Sequence, residues 1–342
     1  PVMNVCTWAP TVFAGPKLTS EAPGSAAPSG ARLNRLVRNH VARVEALGLT
    51  HMLIAQRWWG NAREIEASSL DCLAMTSHIA AVSQRIQLVT AIHPGFFQPA
   101  VIAKWAATLS HLTEGRWSIN LTSGWNLDEF DMYGVDALSH DQRYERSKEF
   151  IKVLKGAWQQ PIFNFRGKYF SVKDLVLEPR PFGGLEVFQG GQSDAAIEMA
   201  CEYSDWMFLN GGSLDKIRGI IGQVRNAAGS RMVPKFAVYA IPLCRSTDEE
   251  AKSEIHSMLA SVDPEVLAAR KTRVTGAEGM WSSEEDLSLL DSNEGYVTGL
   301  IGSPDTILAK VKAFKDIGVD MFHLQLGDDL FEEAVLPKML GL

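Results

Sequence analysis

Residues able to do chemistry collect in a few short runs, and the most informative is Trp117-Ser118-Ile119-Asn120-Leu121-Thr122-Ser123-Gly124-Trp125-Asn126. Its first half reads as a short buried strand, its second as a polar loop. Asn120 is out of place there, because an amide on an apolar strand costs about 1–3 kcal/mol unless it finds partners. Taken alone it reads as a satisfied core amide. The polar loop directly downstream shifts the reading toward a ligand at the strand end. Other strand ends supply Trp8, then Gln56-Arg57-Trp58-Trp59, His93-Pro94 with Phe96 and Phe97 behind it, Asn210-Gly211-Gly212, and the run from Tyr239 to Pro242. This set is indoles and amides, with no carboxylate pair and no His/Cys cluster. A hydrolytic dyad or a metal centre has little support. A large, flat, apolar ligand with polar edges fits better.

A second run, Gln189-Gly190-Gly191-Gln192-Ser193-Asp194, follows a strand and opens a helix. Two glycines allow close approach of the backbone to an anion, and the free amides of the helix start, with the Ser193 hydroxyl, can hold a phosphate. The motif alone reads equally well as a tight turn capped by Ser193 or Asp194. Its late position in the chain favours phosphate. Asp194 would compete with an anion unless it points outward. No GxGxxG follows the first strand, so a Rossmann nicotinamide domain is not supported.

The elements that must position these residues alternate. Strands are expected at 2–8, 50–55, 86–92, 117–121, 185–189, 205–209, 235–241 and 319–325, with helices at 33–48, 67–82, 99–112, 141–158, 193–203, 214–228, 248–259 and 304–317. Asp141 is the expected cap of the fourth helix. Eight strand–helix units with right-handed crossovers favour an α/β fold closed as a TIM barrel, a doubly wound open sheet being the alternative. The single domain spans 1–342. It is interrupted by a Pro/Gly/Ser-rich loop at 9–30, an insertion at 159–184 holding a hairpin around Gly167, and an irregular polar segment at 261–298.

The net charge of -7 and the absence of a basic run argue against nucleic acid or an anionic membrane as the main partner. The four cysteines, at 6, 72, 201 and 244, form no metal or disulfide spacing and read as reduced thiols of a cytoplasmic protein. The N-terminal residues lack the form of a signal peptide, and no apolar run approaches the roughly 18 residues of a membrane span.

Three stretches resemble the bacterial luciferase-like flavin monooxygenases, in the branch containing alkanesulfonate monooxygenase, dimethylsulfone monooxygenase and the pyrimidine oxygenase of uracil breakdown. They are residues 115–134, residues 140–158 (HDQRYERSKEFIKVLKGAW) and residues 188–210 (FQGGQSDAAIEMACEYSDWMFLNG). Weaker similarity runs over 33–112 and 235–325. The resemblance implies a barrel that binds FMN non-covalently, with reduced flavin supplied by a separate reductase and O2 as cosubstrate. It implies a flavin peroxide as oxygenating species, and dimers or tetramers. By position it implies that Asn120 and Thr90 flank the oxygen site and that Gln56 and Arg57 meet the ring, Arg57 stabilising its anionic form. Glu129, Arg143, Tyr144, Gly190, Gly191, Gln192 and Ser193 would complete the cofactor site. Trp8, Trp58, Trp59, His93, Phe96 and Tyr239 would line the substrate pocket, under a lid formed by 261–298. Tyr239 and Ile241 stand where the alkanesulfonate enzymes carry Arg and His, so a sulfonate would lose its cationic partner. The substrate expected is a small neutral organosulfur compound, sulfone-like, or an N-heterocycle. The alternatives are a deazaflavin-dependent hydride-transfer enzyme and a non-catalytic flavin-binding protein.

Overall fold

Eight runs of four to six residues pair side by side in the computed structural model and close into a barrel. The structure describes residues 2–14, 28–58, 66–124, 126–262, 264–265, 286–291 and 293–342. The barrel strands are β1 (Asn4–Trp8), β3 (His51–Ile54), β5 (Gln87–Ile92), β6 (Trp117–Leu121), β9 (Val187–Gly190), β10 (Trp206–Leu209), β11 (Lys235–Ala240) and β14 (Val319–Leu324). All neighbours are parallel, and β1 closes the ring by pairing with both β3 and β14. Each strand leads back through a crossover, which in parallel sheets is right-handed.

The strands are buried on both faces because one face packs on helices and the other fills the barrel. The interior layer is Cys6, Leu53, Val89, Ala91, Phe188, Trp206, Ala237 and Met321. The outer layer joins Val5, Met52, Ile54, Leu88, Ile119 and their neighbours to the helices α1 (Ala31–Ala46), α2 (Cys72–Val82), α3 (Pro99–Leu112) and onward. Side-chain caps fix several helix starts at the loops that follow strands, with Ser193 before α6 (Asp194–Tyr203) and Ser213 before α7 (Leu214–Ala228).

Three local expectations need correction. The helix expected at 67–82 begins at Cys72, capped by Asp71. The residues before it form β4 (Glu66–Ser69), paired antiparallel with β2 (Val12–Ala14). Residues 9–30 are therefore not wholly loop. The helix α5 (His140–Gln159) is capped by Ser139 in a reciprocal capping box with Gln142, not by Asp141. A short helix, α4 (Leu127–Met132), lies in the loop after β6. The expected hairpin in the insertion is present as β7 (Phe163–Arg166) and β8 (Ser171–Leu175), pinned to α5 by Glu149, whose carboxylate accepts from three backbone amides of its turn. Trp59 and Trp125, and most of the segment expected to be a lid, lie outside the described residues. Among the described residues no helix is long and apolar enough to cross a membrane.

Candidate active site

An open cleft sits over the C-terminal ends of the barrel strands. One wall is the turn after β9. Gly191 has φ +104°, and a Cβ there would stand 2.8 Å from the Tyr144 hydroxyl and 3.2 Å from the Ala196 methyl. Only glycine lets the chain pass so close, and Gly190, Gly191, Gln192 and Ser193 all line the cleft. Ser193 caps α6, its hydroxyl accepting from the Ala196 amide at 3.3 Å. Asp194 is exposed, as an anion site requires. Gln192 lines the same wall, and its side-chain oxygen has no hydrogen-bond partner among the described residues. Tyr144, from the first turns of α5, completes this end, and His140 joins it unanticipated. Arg143 does not line the cleft. It is buried behind it, donating to the Leu138 carbonyl at 2.6 Å.

A smaller chamber opens beside the cleft and shares Trp8, Leu53, Arg57, Asn120 and Thr122 with it. Its polar groups are oriented by the backbone. Gln56 accepts from the His93 amide through Oε1 at 2.7 Å, which leaves Nε2 without a partner. Asn126 caps α4 by accepting from the Asp128 amide through Oδ1 at 3.1 Å, which leaves Nδ2 without one. The other chamber atoms without a hydrogen-bond partner among the described residues are Asn120 Oδ1, Thr122 Oγ1, Glu129 Oε1 and His93 Nδ1. The last two stand 3.4 Å apart, within ion-pair reach but without hydrogen-bond geometry. Buried polar atoms in a folded protein are nearly always paired, so this many on one chamber mark a place for a ligand. The chamber thus offers two amide donors together with amide, hydroxyl and carboxylate acceptors.

The third wall is aromatic. Trp8, Phe208, Tyr239 and His323 line the main cleft, with His323 at the centre of the group. Burial, then the Asp291 carboxylate, pushes the Tyr239 phenol well above its ordinary range. The Tyr239 hydroxyl donates to Gln325 at 3.2 Å.

Three expectations about this mouth fail on geometry. Thr90 is fully buried on the outer face of β5, within hydrogen-bond distance of the Thr76 hydroxyl at 2.7 Å and accepting from the Trp117 indole at 2.9 Å. Val89 and Ala91 face inward instead, so Thr90 does not flank an oxygen site. Trp58 and Phe96 line neither cavity. They pack against each other with ring centroids 5.5 Å apart, in a cluster with Phe97, Phe130 and Tyr133. His93, by contrast, lines the polar chamber. Among the described residues no cluster of His, Cys, Asp or Glu could hold a metal ion, and all four cysteines are buried and free.

A family profile described as luciferase-like monooxygenase matches residues 3–321. The chain belongs to the luciferase-like monooxygenase family. This luciferase-like monooxygenase is 36% identical over 312 residues to an FMNH(2)-dependent dimethylsulfone monooxygenase of Pseudomonas fluorescens (strain Pf0-1), covering 87% of this chain and 85% of that one. It is 30% identical over 328 residues to the pyrimidine monooxygenase RutA of Allorhizobium ampelinum, covering 90% and 88%. Its fold matches DmoA from Hyphomicrobium sulfonivorans with a TM-score of 0.77 at 21% identity, over 99% of this chain and 87% of that chain.

The residues of the luciferase-like monooxygenase that sequence reasoning overlooked are His323, Phe208, His140 and Asn293. For His323 a signal existed. Alternate residues Met321, His323 and Gln325 of the last strand share one face, and Met321 fills the barrel.

Proposed function

We propose that this luciferase-like monooxygenase uses reduced FMN, delivered by a separate flavin reductase, and O2 to oxygenate a small neutral organosulfur compound or N-heterocycle in the cytoplasm. The observation that carries the proposal is the pairing of an anion-ready glycine turn with a chamber of oriented, partnerless amides at one barrel mouth. FMN presents the matching chemistry, a phosphate at one end and a cyclic imide edge at the other. When bound, reduced FMN supplies two electrons that activate O2, one oxygen atom passing to the substrate and the other leaving as water.

The chain's own residues hold and orient. Ser193, Gly190, Gly191 and Gln192, with Tyr144, take the phosphate, aided by the positive end of α6. Gln56 Nε2 and Asn126 Nδ2 donate to the carbonyls of the ring edge, and Glu129 Oε1 accepts from the N–H between them. Arg57, which lines both cavities, places positive charge where an anionic reduced ring or a developing oxyanion needs it. Asn120, at the floor between the cavities, directs Oδ1 toward the reacting face. Trp8, Leu53 and Phe208 exclude water from it. No cationic pair marks a sulfonate site, because Tyr239 and Ile241 occupy the inner positions of β11 and the loop after it. Asn293 adds a further amide to the cleft wall.

The test is oxygen-dependent turnover with FMN, a flavin reductase and NADH. Tight binding of reduced FMN with product formed from a dialkyl sulfone or uracil supports the proposal. Preference for a deazaflavin without oxygen use would favour hydride transfer, and FMN binding without any oxygen use would favour a non-catalytic protein.

A further inference from the structure

One buried side chain at the mouth remains unexplained by cofactor binding. His323 is 3% exposed, and neither ring nitrogen has a hydrogen-bond partner among the described residues. A neutral imidazole carries one donor and one acceptor. Burying both unpaired is costly, and such violations cluster where function requires them. Three rings stand close to His323, with centroids at 4.3 Å for Trp8, 5.4 Å for Tyr239 and 5.6 Å for Phe208. All four residues line the main cleft, Trp8 bordering the amide chamber and Phe208 standing beside Gly190 in the barrel register. Ionisable groups near this corner include Tyr239, the Asp291 and Arg57 side chains that act on its phenol, and Cys6, paired with His323 in the strand register. Burial pushes His323 down to about 3, so the imidazole is uncharged.

We infer that His323 is the specificity-determining residue of the oxygenation site, donating a hydrogen bond to an oxygen atom of a small neutral substrate held among Trp8, Phe208 and Tyr239. The inference rests on the monooxygenase reading above and narrows its substrate. The occupant has a compact apolar body and an uncharged acceptor oxygen, as in a dialkyl sulfone or a cyclic amide. A sulfonate or carboxylate would surrender its hydration without meeting a cation at His323. A thioether of the same shape would leave the imidazole unpaired, a mismatch that buried polar sites reject strongly.

The experiment compares wild type with His323→Leu and His323→Gln, using FMN and a flavin reductase, with dimethyl sulfone, uracil and methanesulfonate as probes. Wild type is expected to oxygenate a neutral probe and not methanesulfonate, and the neutral probe that is used distinguishes a sulfone from a cyclic amide. His323→Leu should raise KM for that probe about tenfold, the worth of one hydrogen bond, with a smaller change in kcat. Its FMN affinity should stay within about twofold, and its Tm should hold or rise, because two unpaired buried atoms are gone. His323→Gln should recover part of the KM. An unchanged KM in His323→Leu overturns the inference. So does a fall in Tm with a parallel loss of FMN binding, the mark of a purely structural histidine. Turnover confined to methanesulfonate, or no response to either neutral probe while FMN binds and oxygen is consumed, overturns it too. A wild type that neither binds reduced FMN nor consumes oxygen sinks the underlying reading instead, and this inference with it.

Discussion

The hydrogen bond from the His93 amide to Gln56 Oε1, 2.7 Å long, decides which end of the Gln56 side chain faces the chamber. With the oxygen held by backbone, only the Nε2 donor remains for a ligand. Gln56→Leu removes that donor and orphans the His93 amide. It is expected to weaken FMN binding about tenfold, the loss of one hydrogen bond of about 1.4 kcal/mol. Gln56→Glu keeps the backbone bond but turns an acceptor toward the ring edge, and should weaken binding further. Flavin fluorescence titration reads both.

At Gly191 the expected failure is steric. Its φ of +104° is one that only glycine adopts without strain, and an added methyl would meet the Tyr144 hydroxyl. Gly191→Ala should cost about 1–3 kcal/mol in stability and close the anion turn. The expected signature is loss of the preference for FMN over riboflavin, read by parallel titrations.

Thr90 separates the corrected reading from the original one. Thr90→Val leaves the Trp117 indole N–H without its acceptor, while the Thr76 hydroxyl keeps its bond to the Cys72 carbonyl. It should lower stability by about 1–3 kcal/mol while leaving kcat/KM near wild type. A large fall in kcat with Tm unchanged would restore Thr90 to the site.

Two interior histidines set the acid limb of stability. Burial, with a lesser contribution from Lys235, holds His51 down at about 4, and burial alone holds His323 at about 3. In the unfolded chain both titrate near 6.5, so between that value and about 4 the unfolded state binds more protons. Stability is therefore full above pH 6.5 and falls as pH drops through that window. For His51 the loss is about 3 kcal/mol. Tm measured from pH 7 to 4 should fall for wild type and flatten in His51→Leu and in His323→Leu.

How much of this was legible in the sequence depends on how local the signal is. The strand that carries Asn120 and the Gly190-Gly191 turn leading to the Ser193 cap are written in consecutive residues, and both lie on the cleft. The face of Thr90 is not. In a parallel strand buried on both sides, Leu88, Val89, Thr90 and Ala91 show no polar alternation, and only pairing with the neighbouring strands fixes which of them points inward. Trp58 and Phe96 stand at strand ends, but packing with Phe130 and Tyr133, far along the chain, draws them off the cleft. The pairing of β2 with β4, which shortens α2, joins segments more than 50 residues apart and leaves no periodic trace. His323 was readable from the alternation of its strand, yet no polar loop beside it drew notice as one did beside Asn120.

The central claim is that reduced FMN, held between the Ser193 turn and the Gln56–Asn126 chamber, transfers oxygen from O2. The most direct measurement mixes the protein, loaded anaerobically with stoichiometric reduced FMN, with isotopically labelled O2 and a dialkyl sulfone or uracil. The account predicts one labelled oxygen atom in the product for each flavin oxidised, and loss of that product in a Gly191→Ala, Gln56→Leu double variant. Product without label, or flavin oxidised as fast without the protein as with it and no product formed, would contradict it.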